Sequence, residues 1–292
     1  MALLGPSGEG KTTLIKCIYG LVDLNEGEIF FNKHKVLGPS YNLIPGYPDM
    51  KLVSQDYYVL DNHTVEENIK DLLIGYTDEY KHKRSQKILK LLDLESIKHL
   101  QAKNLSSGQK QRVAIARALV VFPKLILLDE PFSNLDKILK DKLFAFVIHE
   151  ARKKHSGVIL ITHQSEEALK FADRIAVVTN GTIAQIGEKN EVYYHPKNLK
   201  VAKILGDYNV IEYKDFEKDS EFYKAKKRML LRPNQFKQCD KNSAHLFGIL
   251  INWFFNGKCY ELLLQTKTGR ELIIYSHLQP KKATDFYFQI IK

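Results

Sequence analysis

The sequence predicts an α/β domain built on a largely parallel sheet, followed by a smaller domain of β strands. Three short apolar runs each end at small or polar residues, and helical patterns lie between them; the runs are Ala2–Leu4, Leu125–Leu128 and Val158–Ile161. Strands that alternate with helices form parallel sheets with helices packed on both faces. Ligands of such sheets bind beyond the carboxyl ends of the strands, so we expect one site there.

The length of the chain supports two domains of unequal size. It has 292 residues, which is more than one small domain requires, and we expect a large domain over residues 1–205 and a small one over residues 206–292. The longest apolar run, Phe247–Phe255, is about half the roughly 20 residues of a membrane-spanning helix. Because the N-terminus also lacks a signal-peptide pattern, we expect a cytoplasmic protein.

The basic charge does not form one binding stripe. The net charge of +10 raises nucleic acid or an anionic membrane as partners. However, residues 206–292 carry a net +5, which is half of the total. The densest basic runs, at 81–84 and 224–228, lie among acidic and aromatic residues, so we interpret them as solvated faces. Proximity to a membrane surface is the alternative.

The strongest motif follows the first apolar run at Gly5-Pro6-Ser7-Gly8-Glu9-Gly10-Lys11-Thr12. It fits the phosphate-loop pattern of Gly, four residues, Gly, Lys and then Ser or Thr. Glycines let the backbone curl so that N–H groups and the positive end of the next helix face an anion. Lys11 then reaches the β and γ phosphates, and the Thr12 hydroxyl binds Mg²⁺. With Thr13, these residues predict an ATP site; a structural glycine loop is the weaker alternative.

Two adjacent carboxylates, Asp129 and Glu130, follow the second apolar run. Neighbouring side chains of a strand point in divergent directions. Asp129 can therefore hold Mg²⁺ while Glu130 polarises the water that attacks the γ phosphate. Two acids at a strand end are common by themselves, so this interpretation depends on the other motifs.

Residues 105–112, Leu-Ser-Ser-Gly-Gln-Lys-Gln-Arg, resemble the signature sequence of ATP-binding cassette proteins. Other motifs of that family follow in the expected order. Gln55 resembles the glutamine-loop residue, Ser133–Asp136 resembles the loop after the catalytic carboxylate, and His163 resembles the switch histidine. The likeness covers residues 1 to about 205. It implies the cassette fold of P-loop NTPases, with a helical subdomain near residues 57–104.

The resemblance implies that two cassettes sandwich two ATP molecules, as a homodimer or as paired cassettes. Ser106, Gly108 and Gln109 would bind the γ phosphate held by the partner subunit, at the positive end of their helix. Asp136 would act across the same interface. ATP would bridge the two subunits, and its hydrolysis would loosen the dimer.

Three further roles within one subunit follow from the same resemblance. Glu130 would be the catalytic carboxylate, and Gln55 would contact both Mg²⁺ and the attacking water. His163 would bond to the γ phosphate. The chain is therefore expected to be an ATP hydrolase with ATP and Mg²⁺ as ligands. Considered alone, Gln55 and His163 would be a surface glutamine and a strand-end histidine.

Residues 172–196 resemble the end of importer-type cassettes that serve polyamines, ferric iron, sulfate and sugars. This implies separate membrane-spanning permease subunits, an extracytoplasmic binding protein and a place on the cytoplasmic face of the membrane. In the helical subdomain, Ile88, Leu91 and Leu92 have the spacing of a core stripe. Tyr57 and Tyr58 either meet the coupling helix of a permease or pack internally.

The last 87 residues, 206–292, contain patterns of β strands. Leu246–Phe255 and Lys258–Gln265 flank Asn256-Gly257, which predicts a two-residue hairpin turn. Leu231-Arg232-Pro233 resembles a stretch of the small barrel appended to those importers, although the segment is too short for their two-barrel appendage. We expect a barrel-like accessory domain, and an oligonucleotide-binding barrel is the competing interpretation.

The sequence departs from the cassette pattern in two places. Cassettes normally have early strands and an adenine-stacking aromatic residue before the phosphate loop. We expect a segment upstream of Met1; the alternative is a protein that lacks this platform and binds the base weakly. Ser107 stands where the signature usually has glycine. Because serine is compatible with the first turn of a helix, we expect little loss of turnover.

Two other functions compete with transport. One is a soluble ATPase without a permease, acting on nucleic acid or ribosomes through the basic accessory domain. The other is a nucleotide-binding regulator that does not turn over. The single cassette and the importer-like residues 172–196 favour transport.

Overall fold

The computed structural model describes residues 1–53, 58–132, 135–226, 228–280 and 285–291. The chain forms two compact units, Met1–Lys189 and Asn190–Lys292, whereas the sequence suggested a boundary at 205. Two short helices at 189–204 account for the difference. The carbonyls of Tyr193 and Ala202 accept hydrogen bonds of 2.8 and 3.0 Å from the Arg232 guanidinium, which ties these helices to the second unit.

The first unit is built on a six-stranded sheet. Eight strands lie in its described residues: Ala2–Leu4 (β1), Phe30–Phe31 (β2), His34–Lys35 (β3), Met50–Val53 (β4), Leu125–Asp129 (β5), Gly157–Thr162 (β6), Arg174–Thr179 (β7) and Thr182–Glu188 (β8). The sheet order is β4-β5-β6-β1-β7-β8. Neighbours are parallel except β7 and β8, which are antiparallel. The predicted α/β fold is confirmed.

Six α-helices lie in the described residues of the first unit. They are Lys11–Tyr19 (α1), Val65–Lys70 (α2), Asp78–Leu91 (α3), Ser107–Val120 (α4), Lys137–Lys154 (α5) and Ser165–Phe171 (α6). Strand β5 supplies core residues to both faces, because successive side chains of a strand alternate in direction. Leu127 packs with Leu3 and Ile161, whereas Ile126 and Leu128 pack in the larger core that includes residues of α4 and α5. The carboxyl end of β5 is thereby fixed.

The predicted helical region contains α2 and α3. Ile88 and Leu92 are fully buried, and Leu91 packs partly buried against the same core. Tyr58 is exposed, while Tyr57 lies outside the described residues. Among the described residues, none of the helices combines the length and hydrophobicity that a membrane span requires.

The second unit contains seven strands and three short α-helices in its described residues. The helices are Lys189–Tyr194 (α7), Leu199–Ile204 (α8) and Glu221–Lys224 (α9). The strands are Asn209–Ile211 (β9), Met229–Leu231 (β10), Phe236–Gln238 (β11), Leu246–Phe255 (β12), Tyr260–Gln265 (β13), Glu271–Ser276 (β14) and Asp285–Ile290 (β15). An antiparallel half-barrel sheet has the order β11-β15-β12-β13-β14, and β9 pairs with β10.

The predicted two-residue turn between β12 and β13 is wrong. Phe255 pairs with Tyr260, so the connection has four residues. The Asn256 side-chain oxygen accepts hydrogen bonds from the N–H groups of Lys258 and Cys259, both at 3.0 Å. Together with the hydrogen bond that the Asn256 N–H donates to the Cys259 carbonyl at 3.2 Å, this side chain closes the four-residue loop.

Candidate nucleotide site

The phosphate loop lies between β1 and α1. Gly8 and Gly10 have φ of 86° and 79°, a left-handed conformation that favours glycine. Gly5 is required for a different reason, because a Cβ there would lie 2.4 Å from the carbonyl oxygen of Val178. The loop therefore exposes backbone N–H groups at the start of α1, as anion binding requires.

Lys11 is held inside this loop. Its side chain is buried, and its ammonium group donates hydrogen bonds to the carbonyls of Gly5 and Pro6 at 2.9 and 2.6 Å. Burial lowers the pKa of Lys11, and nearby carboxylates, that of Glu130 foremost, partly oppose the shift. A positive charge thus lies within the curve of the loop.

Asp129 at the end of β5 faces the start of α1. The Thr12 hydroxyl donates a hydrogen bond of 3.2 Å to Asp129 Oδ1. Burial raises the pKa of Asp129, and the Thr12 hydrogen bond only partly offsets it. A hydroxyl and a carboxylate are hard oxygen ligands, and Mg²⁺ takes its remaining ligands from phosphates and water. These two residues therefore fit a magnesium ion bound together with a nucleotide.

Glu130 turns away from Asp129 and meets His163. Its φ of 45° lies in the left-handed region, which is uncommon for glutamate and often marks functional sites. Its N–H donates to the carbonyl of Ile161 at 3.2 Å on the neighbouring strand β6. Glu130 Oε1 lies 3.0 Å from His163 Nδ1. The parallel register of β5 and β6 thus brings together the two side chains that follow these strands.

The signature residues form the start of α4. Ser106 caps this helix through a reciprocal pair of bonds: Gln109 N–H donates to Ser106 Oγ at 3.3 Å, and Ser106 N–H donates to Gln109 Oε1 at 2.9 Å. A Cβ on Gly108 would meet nothing within 4 Å. Asp136 caps α5 by accepting from the Leu139 N–H at 3.0 Å. These hydrogen bonds lie within the residues' own helix starts.

The structure brings together one subset of the predicted site residues. The phosphate loop, Thr12, Asp129, Glu130 and His163 lie at the carboxyl edge of β1, β5 and β6. Gln55, Ser133 and Asn134 lie outside the described residues, so their predicted roles stay predictions.

Sequence reasoning missed a second set of polar residues next to His163. Glu167 Oε2 accepts a hydrogen bond of 2.7 Å from Thr162 Oγ1, and Glu167 Oε1 lies 2.7 Å from Lys140 Nζ. In the sequence, Glu167 is an acidic residue in the first turns of a helix, which is common because of the helix dipole. That pattern alone does not single it out.

Comparisons with known proteins identify the family to which the chain belongs. A family model described as ABC transporter matches residues 1–133. The spermidine/putrescine import ATP-binding protein PotA of Spiroplasma citri is 39% identical over 294 residues, covering 94% of this chain and 82% of the relative. The protein of the same name from Borrelia garinii subsp. bavariensis is 34% identical over 304 residues, covering 94% and 86%.

A solved structure has a similar fold. The ATP-binding cassette MJ0796, in a dimeric post-hydrolysis state bound to ADP and Pi, is 28% identical, with a TM-score of 0.56. The match covers 64% of this chain and 84% of that one. On these sequence and structural matches, the chain belongs to the ATP-binding cassette transporter family, as a subunit that binds and hydrolyses ATP.

Proposed function

We propose that the chain powers import across a membrane by hydrolysing ATP between two cassettes, on the cytoplasmic face, where it contacts separate permease subunits. The observation that carries this proposal is the 3.0 Å contact between Glu130 and His163. It lies beside the Thr12–Asp129 pair, so a candidate base and candidate ligands for Mg²⁺ share one edge of the sheet.

The triphosphate would lie in the phosphate loop. Backbone N–H groups at the start of α1 and the Lys11 ammonium would bind the β and γ phosphates. Thr12 and Asp129 would hold Mg²⁺, which neutralises charge on those phosphates when it is bound. Since burial disfavours the Asp129 charge, binding a cation there would relieve an existing electrostatic penalty.

Glu130 would accept the proton of the attacking water. Its carboxylate lies against His163 while Asp129 pairs with Thr12, and in that position it would face the γ phosphate. Because His163 Nδ1 faces Glu130, the other ring nitrogen, Nε2, is the one left to bond to the γ phosphate. Gln55 would orient the same water, as the sequence predicts.

A second chain would complete the site. Its α4 begins with a capped, uncrowded N-terminus at Ser106 and Gly108, and the positive end of that helix suits a γ phosphate. Gln109 would add a side-chain contact, and Asp136 would act at the same interface. The dimeric state of the MJ0796 cassette supports this arrangement.

The variant Glu130→Gln tests the chemistry. It keeps the size of the side chain but removes the base, so hydrolysis should fall by about 10²–10⁴-fold while ATP binding is retained. Phosphate release and ATP binding by equilibrium dialysis measure the two effects. Glu79→Gln is a matched control, because Glu79 forms an exposed ion pair with Lys83. Hydrolysis by Glu130→Gln at the rate of the control would refute the assignment.

The cargo class we propose is a polyamine. The match covers 86% and 82% of the two PotA relatives, whose names include spermidine/putrescine. It covers only 56% of the Fe(3+) ions import ATP-binding protein FbpC of Fusobacterium nucleatum. Deleting the gene should abolish uptake of labelled spermidine, and the wild-type gene but not Glu130→Gln should restore it. Loss of iron uptake with normal spermidine uptake would contradict the polyamine assignment.

A further inference from the structure

Two ion pairs join helices α5 and α6, and one of them also bonds to Thr162, the residue before His163. Lys140–Glu167 and Lys170–Asp141 both have N–O distances of 2.7 Å. The side chains of the first pair are 14% and 12% exposed, and those of the second are 53% and 39% exposed. The first pair is therefore shielded from water, which makes its electrostatic attraction stronger.

Glu167 extends the shielded pair to the backbone around His163. Its second carboxylate oxygen accepts a hydrogen bond from the Thr162 hydroxyl at 2.7 Å. Thr162 Oγ1 in turn accepts the N–H of Gln164 at 3.0 Å. The residues on both sides of His163 are thus held by one carboxylate and one hydroxyl.

The same group of residues surrounds the contact between His163 and Glu130. Glu130, Thr162, His163 and Glu167 line one small cavity, with Phe132 and Gln164. The His163 side chain is 48% exposed, so a turn of the 162–164 backbone would move its imidazole away from the 3.0 Å contact with Glu130. A carboxylate bonded to both an ammonium and a hydroxyl resists such a turn, because charge-assisted hydrogen bonds are strong.

We propose that Glu167 is a positioning residue that fixes His163 in its orientation toward Glu130, with Lys140 holding the Glu167 carboxylate in place. The inference rests on the role proposed above for His163. The contacts of Glu167 with Thr162 and Lys140 also connect His163 to α5, whose first turn is capped by Asp136. Glu167 itself touches neither the nucleotide nor the attacking water in this account.

The Lys170–Asp141 pair provides a matched control. It joins the same two helices at the same distance but has no hydrogen bond to Thr162. A purely structural effect of uncoupling α5 from α6 would appear in both sets of variants. A positioning effect would appear only in the variants of Glu167 and Lys140.

The first test compares kinetics of the full chain. Glu167→Ala should lower kcat for ATP hydrolysis by about tenfold with ATP affinity changed less than about twofold, because small misplacements of a site group act on the chemical step. Lys140→Met should act in the same direction, and Glu167→Gln, which can keep the Thr162 bond, should lose less. Asp141→Asn and Lys170→Met should leave both values unchanged. Equal kcat in the Glu167 and Asp141 variants would overturn the proposal.

The second test does not depend on hydrolysis. The His163 imidazole signals in ¹H–¹⁵N spectra, assigned by their loss in His163→Gln, should shift in Glu167→Ala and Glu167→Gln but not in Asp141→Asn. If they shift while the wild-type chain hydrolyses no ATP, the proposed function fails and the positioning role stands. Unmoved signals in a folded Glu167→Ala chain would refute the positioning role.

Discussion

Two buried aspartates, one in each unit, have pKa values shifted in opposite directions from the ordinary value. Asp129 in the first unit accepts a hydrogen bond from Thr12, and burial raises its pKa above the ordinary value. Asp215 in the second unit is fully buried; burial again acts to raise its pKa, but hydrogen bonds led by that from Thr268 outweigh this effect and lower it.

The partners of the two carboxylates explain this difference. Asp215 accepts from the Thr266 hydroxyl at 3.0 Å, the Glu212 N–H at 2.8 Å, the Arg270 guanidinium at 3.0 Å and the Thr268 hydroxyl. Asp129 instead has the like charge of Glu130 beside it, which also raises its pKa. A fully bonded carboxylate stabilises a fold, whereas an under-bonded one is ready to receive a cation.

The largest effect is expected at Asp129. Asp129→Asn keeps the shape but removes the charge, so ATP hydrolysis should fall by about 10³-fold, equivalent to about 4 kcal/mol of transition-state stabilisation. The midpoint of thermal unfolding should stay the same or rise, because an under-bonded buried charge is removed. Calorimetry and phosphate release on the same sample measure both. A strong fall in stability with unchanged hydrolysis would reverse the roles that we assign to the two aspartates.

Arg232 is the basic counterpart of Asp215 in the second unit. Its fully buried guanidinium donates to four carbonyls, those of Tyr193, Ala202, Gly206 and Asp207. Arg232→Met would leave these carbonyls without that donor and should lower the free energy of unfolding by about 3 kcal/mol. Urea unfolding followed by tryptophan fluorescence suits this test, because Trp253 belongs to this unit. ATP hydrolysis by the folded chain should stay within about twofold of wild type.

Asp215 should make stability depend on pH in a predictable direction. Its folded pKa lies below the unfolded value of about 3.9, so its contribution is fully present above that value. It is lost as the pH falls through the folded pKa. Asp215→Asn should lower the unfolding free energy by about 2 kcal/mol at pH 7 and should lose less stability than wild type between pH 4 and pH 2. The unfolding free energies of both proteins, measured with urea at each pH, test this. An equal loss of unfolding free energy in both proteins between pH 4 and pH 2 would contradict this account.

Ser107→Gly should have the smallest effect. Ser107 is exposed in the first turn of α4, and the capping bonds belong to Ser106 and Gln109. Turnover should therefore stay within about twofold of wild type. A tenfold gain in steady-state turnover would show that the serine obstructs the phosphate of the opposing subunit.

The contrast between the two aspartates also shows what the sequence can predict. Asp129 is the last residue of an uninterrupted apolar strand. Ligands of parallel sheets bind at the carboxyl ends of the strands, so the sequence alone places Asp129 at the site. Asp215 has no comparable signal, because its side-chain partners Thr266 and Arg270 lie 51 and 55 residues away along the chain. The Asn256–Cys259 loop was missed for a related reason. Side-chain and backbone bonds of Asn256 to Cys259 close it, whereas the Asn-Gly pattern alone favours a shorter turn.

Glu167 was missed because its proposed role depends on contacts with two different elements of the fold. Thr162 is next to His163 in sequence, but Lys140 comes from α5, and only the packing of α5 against α6 brings it to Glu167. The motifs of the phosphate loop and the signature, by contrast, are contiguous in sequence. Contiguous motifs identify the nucleotide site, while residues that support it from neighbouring helices require the fold.

The most direct test of the central claim, that one ATP is bound by two chains, is sedimentation velocity of Glu130→Gln with Mg²⁺, with and without ATP. The account predicts a shift from monomer to dimer when ATP is added, and no shift when Ser106→Arg is introduced into the same variant to block the start of α4. An identical sedimentation coefficient for Glu130→Gln with and without saturating ATP would contradict the account.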